Sequence, residues 1–409
     1  MPTRRADTTA PHGRSAGTSR TGLILTGGGA RAAYQVGVLH ALLDILDAPR
    51  RPDFRNPFDI LCGTSAGALN ATAYACRADR PHVAVARMRR LWSQLHTGMV
   101  YHADAPGLIR TGGRWLGLLA LGWMFAGRRG PRPRSLLDNA PLADLLTQVI
   151  DFNRLHEQLA RHSLTALAIT ASGYTSGQHL TFYQSAETIA PWQRALRRAV
   201  PTTIGVDHLM ASSAIPFVFP AQAVDVFGQT EWCGDGSMRQ LAPISPAIHM
   251  GADRVVVIGT AHRDDTHPEA RHQDPPYPTL AQISGHALAN IFIDSVSTDV
   301  ESVRRVNAMI DNGHVGRDSG LRRVEVLALG PSESLDTLAL SYLDDMPREV
   351  RALLGALGMG VVPGRREGGT LLSYLLFEAR YTRRLIELGY ADTMRQTEAV
   401  IGFFKEAPV

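Results

Sequence analysis

The sequence predicts an α/β protein: a largely parallel central sheet covered by helices on both faces, followed by a helical C-terminal segment. Three observations predict it. Short apolar runs recur without polar alternation, as strands buried on both faces require. Helical patterns separate these runs, which favours crossover connections and parallel pairing. Beyond about residue 331 only helical periodicity remains.

Taken in order, "GLILT" (22–26) reads as a buried strand running into Gly27-Gly28-Gly29. A helix is expected from Ala32 to about Asp47, with Val36, Leu39, Leu43 and Leu46 at helical spacing. "FDILC" (58–62) is the next strand, and it ends in Gly63-Thr64-Ser65-Ala66-Gly67. Helices follow near 66–78 and 82–96. "LTALAIT" (164–170) and "LTFYQ" (180–184) are strands, and "VDVFG" with "EWCGD" forms a hairpin. "RVVVIG" (254–259) and "RVEVLAL" (323–329) are strands with a long helical pattern between them. In "LLSYLLFEARYTRRLIELGY", Leu372, Leu375, Leu376, Ala379 and Ile386 are expected on one helix face.

Composition narrows the function classes. The 409 residues suffice for one large core with an extension, or for two domains. The net charge is +4, and Lys405 is the sole lysine among 42 basic residues. No basic cluster is interleaved with aromatics, so a nucleic-acid groove is not expected. Cys62, Cys76 and Cys233 form no CxxC pair, which argues against a disulfide framework or a structural zinc. Residues 1–20 lack an apolar core and read as a disordered lead-in. An export signal is therefore not expected, and a cytoplasmic location is. No uncharged apolar run reaches the ~20 residues of a membrane span.

Three motifs carry chemistry. "GGGARA" (27–32) lies between a strand and a helix, where exposed N–H groups can hold an anion. Ser65 sits at a strand–turn–helix tip flanked by Gly63 and Gly67. Asp235 sits in a turn in "CGDGSMRQLAPISPAI" (233–248). The Gly-rich stretch nearly fits a dinucleotide fingerprint, but that reading wants an acid ending the next strand. Asp47 and Asp53 fall instead in a helix end and a loop. A standard α/β-hydrolase order would supply a late histidine. The last one, His314, lies in a polar loop with no strand before it.

The chain resembles the bacterial patatin-like phospholipases. The resemblance covers about residues 22–260 and rests on the Gly-rich loop, the elbow at 63–67, "ASSAIPFVFP" (211–220) and Asp235-Gly236. It implies a patatin-like three-layer α/β/α fold and a Ser–Asp dyad without histidine. Ser65 is then the nucleophile and Asp235 its base and orienter. The loop of Gly27, Gly28, Gly29 and Ala30 supplies the oxyanion hole, and Arg31 matches the family's arginine beside that loop. The family usually has Gly or Ala after Asp-Gly, where this chain has Ser237.

The function so implied is hydrolysis of fatty-acyl esters of lipids, with no metal or organic cofactor. Acyl transfer or thioester hydrolysis on the same dyad, and an inactive membrane-associated scaffold, are the alternatives. The expected organisation is a lead-in (1–20), a catalytic domain (21–330) and a helical extension (331–409) packed on the sheet. Two further stretches remain. "AHRDDTHPEARHQD" (261–274) gathers His262, His267 and His272 at a spacing that matches no zinc pattern. "RWLGLLALGWMFAGRRG" (114–130) is too short to span a bilayer. Its Trp115, Trp123 and flanking Arg110, Arg114, Arg128 and Arg129 suit either a peripheral membrane contact or a buried helix. Oligomeric state is not legible.

Overall fold

The computed structural model describes residues 19–48, 50–51, 54–102, 135–262, 296–314, 316, 319–356 and 369–405. The expected segments at 114–130 and 263–274, including His267 and His272, lie outside these residues, as does nearly all of the lead-in.

The strands are β1 (Thr21–Leu25), β2 (Ile60–Thr64), β3 (Ala166–Gly173), β4 (His179–Ser185), β5 (Gln193–Arg194), β6 (Arg197–Pro201), β7 (Gln222–Val226), β8 (Gln229–Asp235), β9 (Arg254–Ile258) and β10 (Glu325–Leu329). They form one sheet in the order β10-β9-β1-β2-β3-β4-β6-β5, and the β7–β8 hairpin joins it through β3. From β10 to β3 every pairing is parallel. β4 and β8 run antiparallel to β3. The short β5–β6 pair was not legible in the sequence, because "QRALRRAV" is polar and half exposed.

The helices are α1 (Ala33–Leu46), α2 (Ala66–Ala75), α3 (Pro81–Trp92), α4 (Ala140–Val149), α5 (Phe152–Ala160), α6 (Val206–Ser212), α7 (Ser245–His249) and α8 (Val296–Asp311). Past β10 come α9 (Leu335–Leu340), α10 (Arg348–Ala356), α11 (Gly369–Leu375), α12 (Ala379–Met394) and α13 (Thr397–Lys405).

The apolar strands divide their side chains between two cores with a period of two. Leu23, Leu25, Leu61, Leu167, Val256 and Ile258 face one core, shared with α1, α2, α3 and the C-terminal helices. Ile24, Ile60, Cys62, Ala168, Val255 and Val257 face the other, covered by α7 and α8. This is the three-layer α/β/α arrangement. Each fully buried Leu, Ile or Val contributes roughly 1.5–3 kcal/mol, so the sheet gains stability on both faces.

The C-terminal helices are joined to this core directly. α12 lies against α1 at backbone distance: a Cβ on Gly37 would overlap the Ile386 carbonyl, and one on Gly389 the Tyr34 carbonyl. Residues 369–394 form two helices where one continuous face was expected. Leu372, Leu375, Leu376 and Ile386 are buried, and Ala379 is half-buried. The break arises because Glu378 is extended (φ −126°) and its carboxylate accepts from the Thr97 hydroxyl at 2.7 Å and the Thr97 N–H at 3.2 Å.

Candidate active site

The site forms where two strands meet end to end. β2 pairs with the first part of β3, ending at Thr64 opposite Thr170. β8 pairs with the last part of β3, and Asp235 lies opposite Ala171. One more step along β2 is Ser65. The register of β3 therefore brings residue 65 and residue 235 together, although 170 residues of chain separate them.

Ser65 adopts φ 53°, ψ −130° between β2 and α2. This conformation is unfavourable for a residue with a Cβ and costs of order 1–3 kcal/mol. The surroundings hold it. The Ser65 carbonyl accepts from Ala68 N–H at 2.8 Å, and the Ser65 N–H donates to Ser212 Oγ at 2.8 Å. A Cβ on Gly63 would overlap Ala68, and one on Gly67 would overlap the Leu25 and Thr26 carbonyls. Both glycines are thus required by close approach.

Asp235 is fully buried. Its N–H donates to the Ala214 carbonyl at 2.9 Å, and its Oδ1 accepts from Ser237 N–H at 2.8 Å. Oδ2 is buried and has no hydrogen-bond partner among the described residues. Burial pushes the carboxyl up to about 6, and the nearby Ser65 and Ser237 hydroxyls partly oppose that rise. The Ser65 hydroxyl is thus close enough to favour the charged carboxylate, but no hydrogen bond of ordinary length has formed. Such contacts are often long before substrate arrives.

The Gly-rich loop packs on the same point. A Cβ on Gly27 would lie 3.3 Å from Ser65 Cβ and would overlap Ser237 Oγ. Thr260 donates to the Gly27 carbonyl at 2.8 Å. Among the described residues, no acceptor meets the N–H groups of Gly28, Gly29 or Ala30. Arg31 differs from expectation as a member of the oxyanion loop. Its N–H is bonded to the Gly28 carbonyl at 3.0 Å, so that donor is already engaged. Its side chain is buried: Nε donates to Ser373 Oγ at 2.7 Å, the guanidinium pairs with Asp336, and it stacks 4.2 Å above Tyr374. The reason is tertiary, since Asp336, Ser373 and Tyr374 all belong to the C-terminal helices.

A cavity with about 780 Å³ of empty space, partly open to solvent, begins at Ser65 and runs between α2, α3 and α4. Its lining is dominated by side chains such as Leu69, Met88, Trp92, Leu146, Phe219 and Phe377. Such a cavity accepts an apolar chain and repels a charged one.

The sequence model of the patatin-like phospholipase family matches residues 23–248, more than half of the chain. The chain belongs to the patatin-like phospholipase family. As a patatin-like phospholipase it is a lipid acyl hydrolase. No curated protein matches it in sequence. Among solved structures, VipD from Legionella pneumophila is 13% identical over 94% of this chain and 68% of its own, with a TM-score of 0.36. Human GIVD cytosolic phospholipase A2, in complex with methyl gamma-linolenyl fluorophosphonate, is 13% identical over 95% of this chain and 59% of its own, with a TM-score of 0.42.

In this patatin-like chain, several site residues had no role assigned by sequence reasoning. Ser212 holds the Ser65 N–H, and Ser213 lines the cavity. Both lie in "ASSAIPFVFP", so the signal was visible but its purpose was not. Thr64, Thr170 and Gln240 form a chain of hydrogen bonds beneath the elbow, at 2.7 and 2.6 Å. His179 is buried behind the Asp235 turn, where desolvation pushes it down to about 4 despite a bond to the Gly236 backbone. It is therefore neutral near pH 7. Among the described residues no histidine hydrogen-bonds Ser65; His314 is exposed beyond α8, and His262 Nδ1 bonds the Pro331 carbonyl. Cys62 and Cys233 are free and buried, and they face different clusters. Burial pushes the Cys233 thiol up to about 12, consistent with small apolar packing.

Proposed function

We propose that this patatin-like phospholipase cleaves fatty-acyl esters through a Ser65–Asp235 dyad and an oxyanion loop at Gly28–Ala30. One observation carries the reading. A strained, buried serine at the start of an apolar cavity lies beside a fully buried carboxylate, one oxygen of which has no hydrogen-bond partner among the described residues.

The acyl chain occupies the cavity and presents its carbonyl to Ser65. The Ser65 O–H bond breaks as the Oγ–C bond forms, and the proton moves to Asp235 Oδ2. Desolvation supports this transfer, because it raises the carboxylate's proton affinity above that of an exposed aspartate. The carbonyl π pair moves onto oxygen, facing the N–H groups of Gly28, Gly29 and Ala30. One such donor is typically worth roughly 3–4 kcal/mol in the transition state. Collapse expels the alcohol, which takes the proton from Asp235. Water then repeats the cycle on the acyl-enzyme and releases the fatty acid.

A fluorophosphonate ester probe tests the dyad. It should label the wild type covalently at Ser65 and leave Ser65→Ala unlabelled. Labelling of Ser65→Ala at the wild-type rate, or wild-type turnover by Asp235→Asn, sinks the assignment.

Peripheral docking on an anionic membrane surface through 114–130, from the cytoplasm, belongs to the same proposal. Among the described residues no helix is long and apolar enough to cross a membrane. Trp115→Ala with Trp123→Ala should reduce co-sedimentation with anionic vesicles and spare hydrolysis of a soluble ester. Pelleting like the wild type overturns this docking.

A further inference from the structure

Ser237 begins where the Asp235-Gly236 pair enters a short 3-10 turn, Gly236–Arg239. Its N–H already holds Asp235 Oδ1. Its hydroxyl occupies the space beside Gly27, where any Cβ would overlap Ser237 Oγ while touching Ser65 Cβ at 3.3 Å. The oxyanion loop, the nucleophile and Ser237 therefore meet at one point. Asp235 sits there with Oδ2 buried and without a hydrogen-bond partner among the described residues.

We propose that Ser237 is a positioning residue of the dyad: its hydroxyl donates to the charged Asp235 carboxylate, holding Oδ2 toward Ser65, and releases it as the proton arrives. This rests on the Ser65–Asp235 reading. The hydroxyl stabilises the charged form of the carboxylate, as does Ser65 itself. Its effect is to keep Asp235 ionised, and so able to act as a base, at lower pH than burial alone permits.

The surroundings isolate that effect. Tyr174, from the β3–β4 connection, is raised by burial and by Asp235, and so is uncharged near pH 7. His179 on β4 is pushed down to about 4. Cys62 on β2 and Cys233 on β8 are raised by burial. His208, on α6, is lowered by burial. Glu231 accepts from the N–H groups of Thr175 and Ser176, and Arg239 donates to the Gly177 carbonyl, so both turn toward the β3–β4 connection. Asp235 is thus the carboxyl in this cluster that burial pushes up to about 6.

The experiment measures kcat/KM against pH on a soluble ester for wild type, Ser237→Ala and Ser237→Gly. Both variants keep the backbone donor to Oδ1 and remove the hydroxyl, but they differ in size. Both should move the acid limb upward by roughly half to one pH unit, so the loss relative to wild type is several-fold larger near pH 5 than near pH 8. An unmoved limb with uniform loss means Ser237 only fills space and overturns the inference. A shift in one variant alone overturns it as well. Ser65→Ala in the same assay separates the two readings. If Ser65→Ala remains active, the dyad itself falls. If Ser65→Ala is dead and the limb is fixed, the Ser237 role alone falls.

Discussion

The loops that follow β1 and β2 lie side by side at the same end of the sheet, yet they are held in different ways. The elbow after β2 is gripped mainly by the end of β1 and the start of α2, with Ser212 holding the Ser65 N–H. Gly67 lies on the carbonyls at the end of β1, Gly63 lies on Ala68, and the Ser65 carbonyl accepts from Ala68 N–H in the first turn of α2. The Gly-rich loop after β1 is gripped from far along the chain. Gly29, at φ 54°, lies under the Tyr374 carbonyl, and Arg31 is clasped by Asp336, Ser373 and Tyr374. The difference teaches that the proposed nucleophile belongs to the sheet, whereas the proposed oxyanion loop depends on the C-terminal helices.

The proposed dyad defines the floor of that comparison and the largest effect. Ser65→Ala and Asp235→Asn should each lower kcat/KM by about a thousandfold or more. The double variant should be little worse, because the pair acts as one unit. Additive losses in steady-state kinetics would show two independent contributions.

Glycine substitutions break the two loops separately. Gly67→Ala pushes a methyl into β1 backbone and should lower stability by roughly 1–3 kcal/mol while abolishing probe labelling. Gly29→Ala strains a loop that lies at φ 54° against the Tyr374 backbone of α11, so it should reduce turnover with a smaller fall in Tm. Equal falls in Tm would mean the two loops are equally built into the core.

Arg31→Ala sharpens the contrast without touching either glycine. It frees Asp336 and Ser373 and loosens the clasp on the loop. Turnover should drop roughly 10–100-fold with KM changed less, as for impaired oxyanion binding, while far-UV circular dichroism stays near wild type. Wild-type turnover in Arg31→Ala would make the Gly-rich loop as self-supporting as the elbow.

The last effect is in stability against pH. Asp235 titrates near 6 when folded, against 3.8 for a free aspartate. The folded state therefore holds the proton more tightly, and this group favours folding below about 3.8 and loses that contribution as pH rises through about 6. Keeping the carboxylate charged and buried costs roughly 3 kcal/mol above that range. Asp235→Asn should raise Tm relative to wild type near pH 8, with the gain shrinking toward pH 4. The same titration predicts that wild-type activity falls on acidification with an apparent pKa near 6.

Much of the site was legible because its determinants are local. The run from Phe58 to Gly67 encodes strand, tight turn and helix within ten residues, and the structure places Ser65 at that turn. Asp235 was legible only through its family resemblance, since Asp-Gly by itself reads as an ordinary turn. Arg31 was placed at the loop, and its engagement with Asp336 and Ser373 was invisible, because those partners lie more than 300 residues away. The helix break before Glu378 was missed for the same reason. Apolar periodicity continues through it, and the competing partner, Thr97, is distant in sequence.

The sequence by itself determined the layered α/β class, the order of most of the sheet-forming runs and the serine at a tight turn, because burial patterns and glycine turns act within one element. The tertiary structure decided everything that needs two distant segments at one point. It set β2 and β8 end to end along β3, so that Ser65 meets Asp235. It buried that carboxylate and so raised its proton affinity. It pressed the Ser237 hydroxyl against Gly27 and tied Arg31 to helices formed last in the chain. Register, desolvation and close approach are properties of neighbours in space, and no local pattern of residues records them.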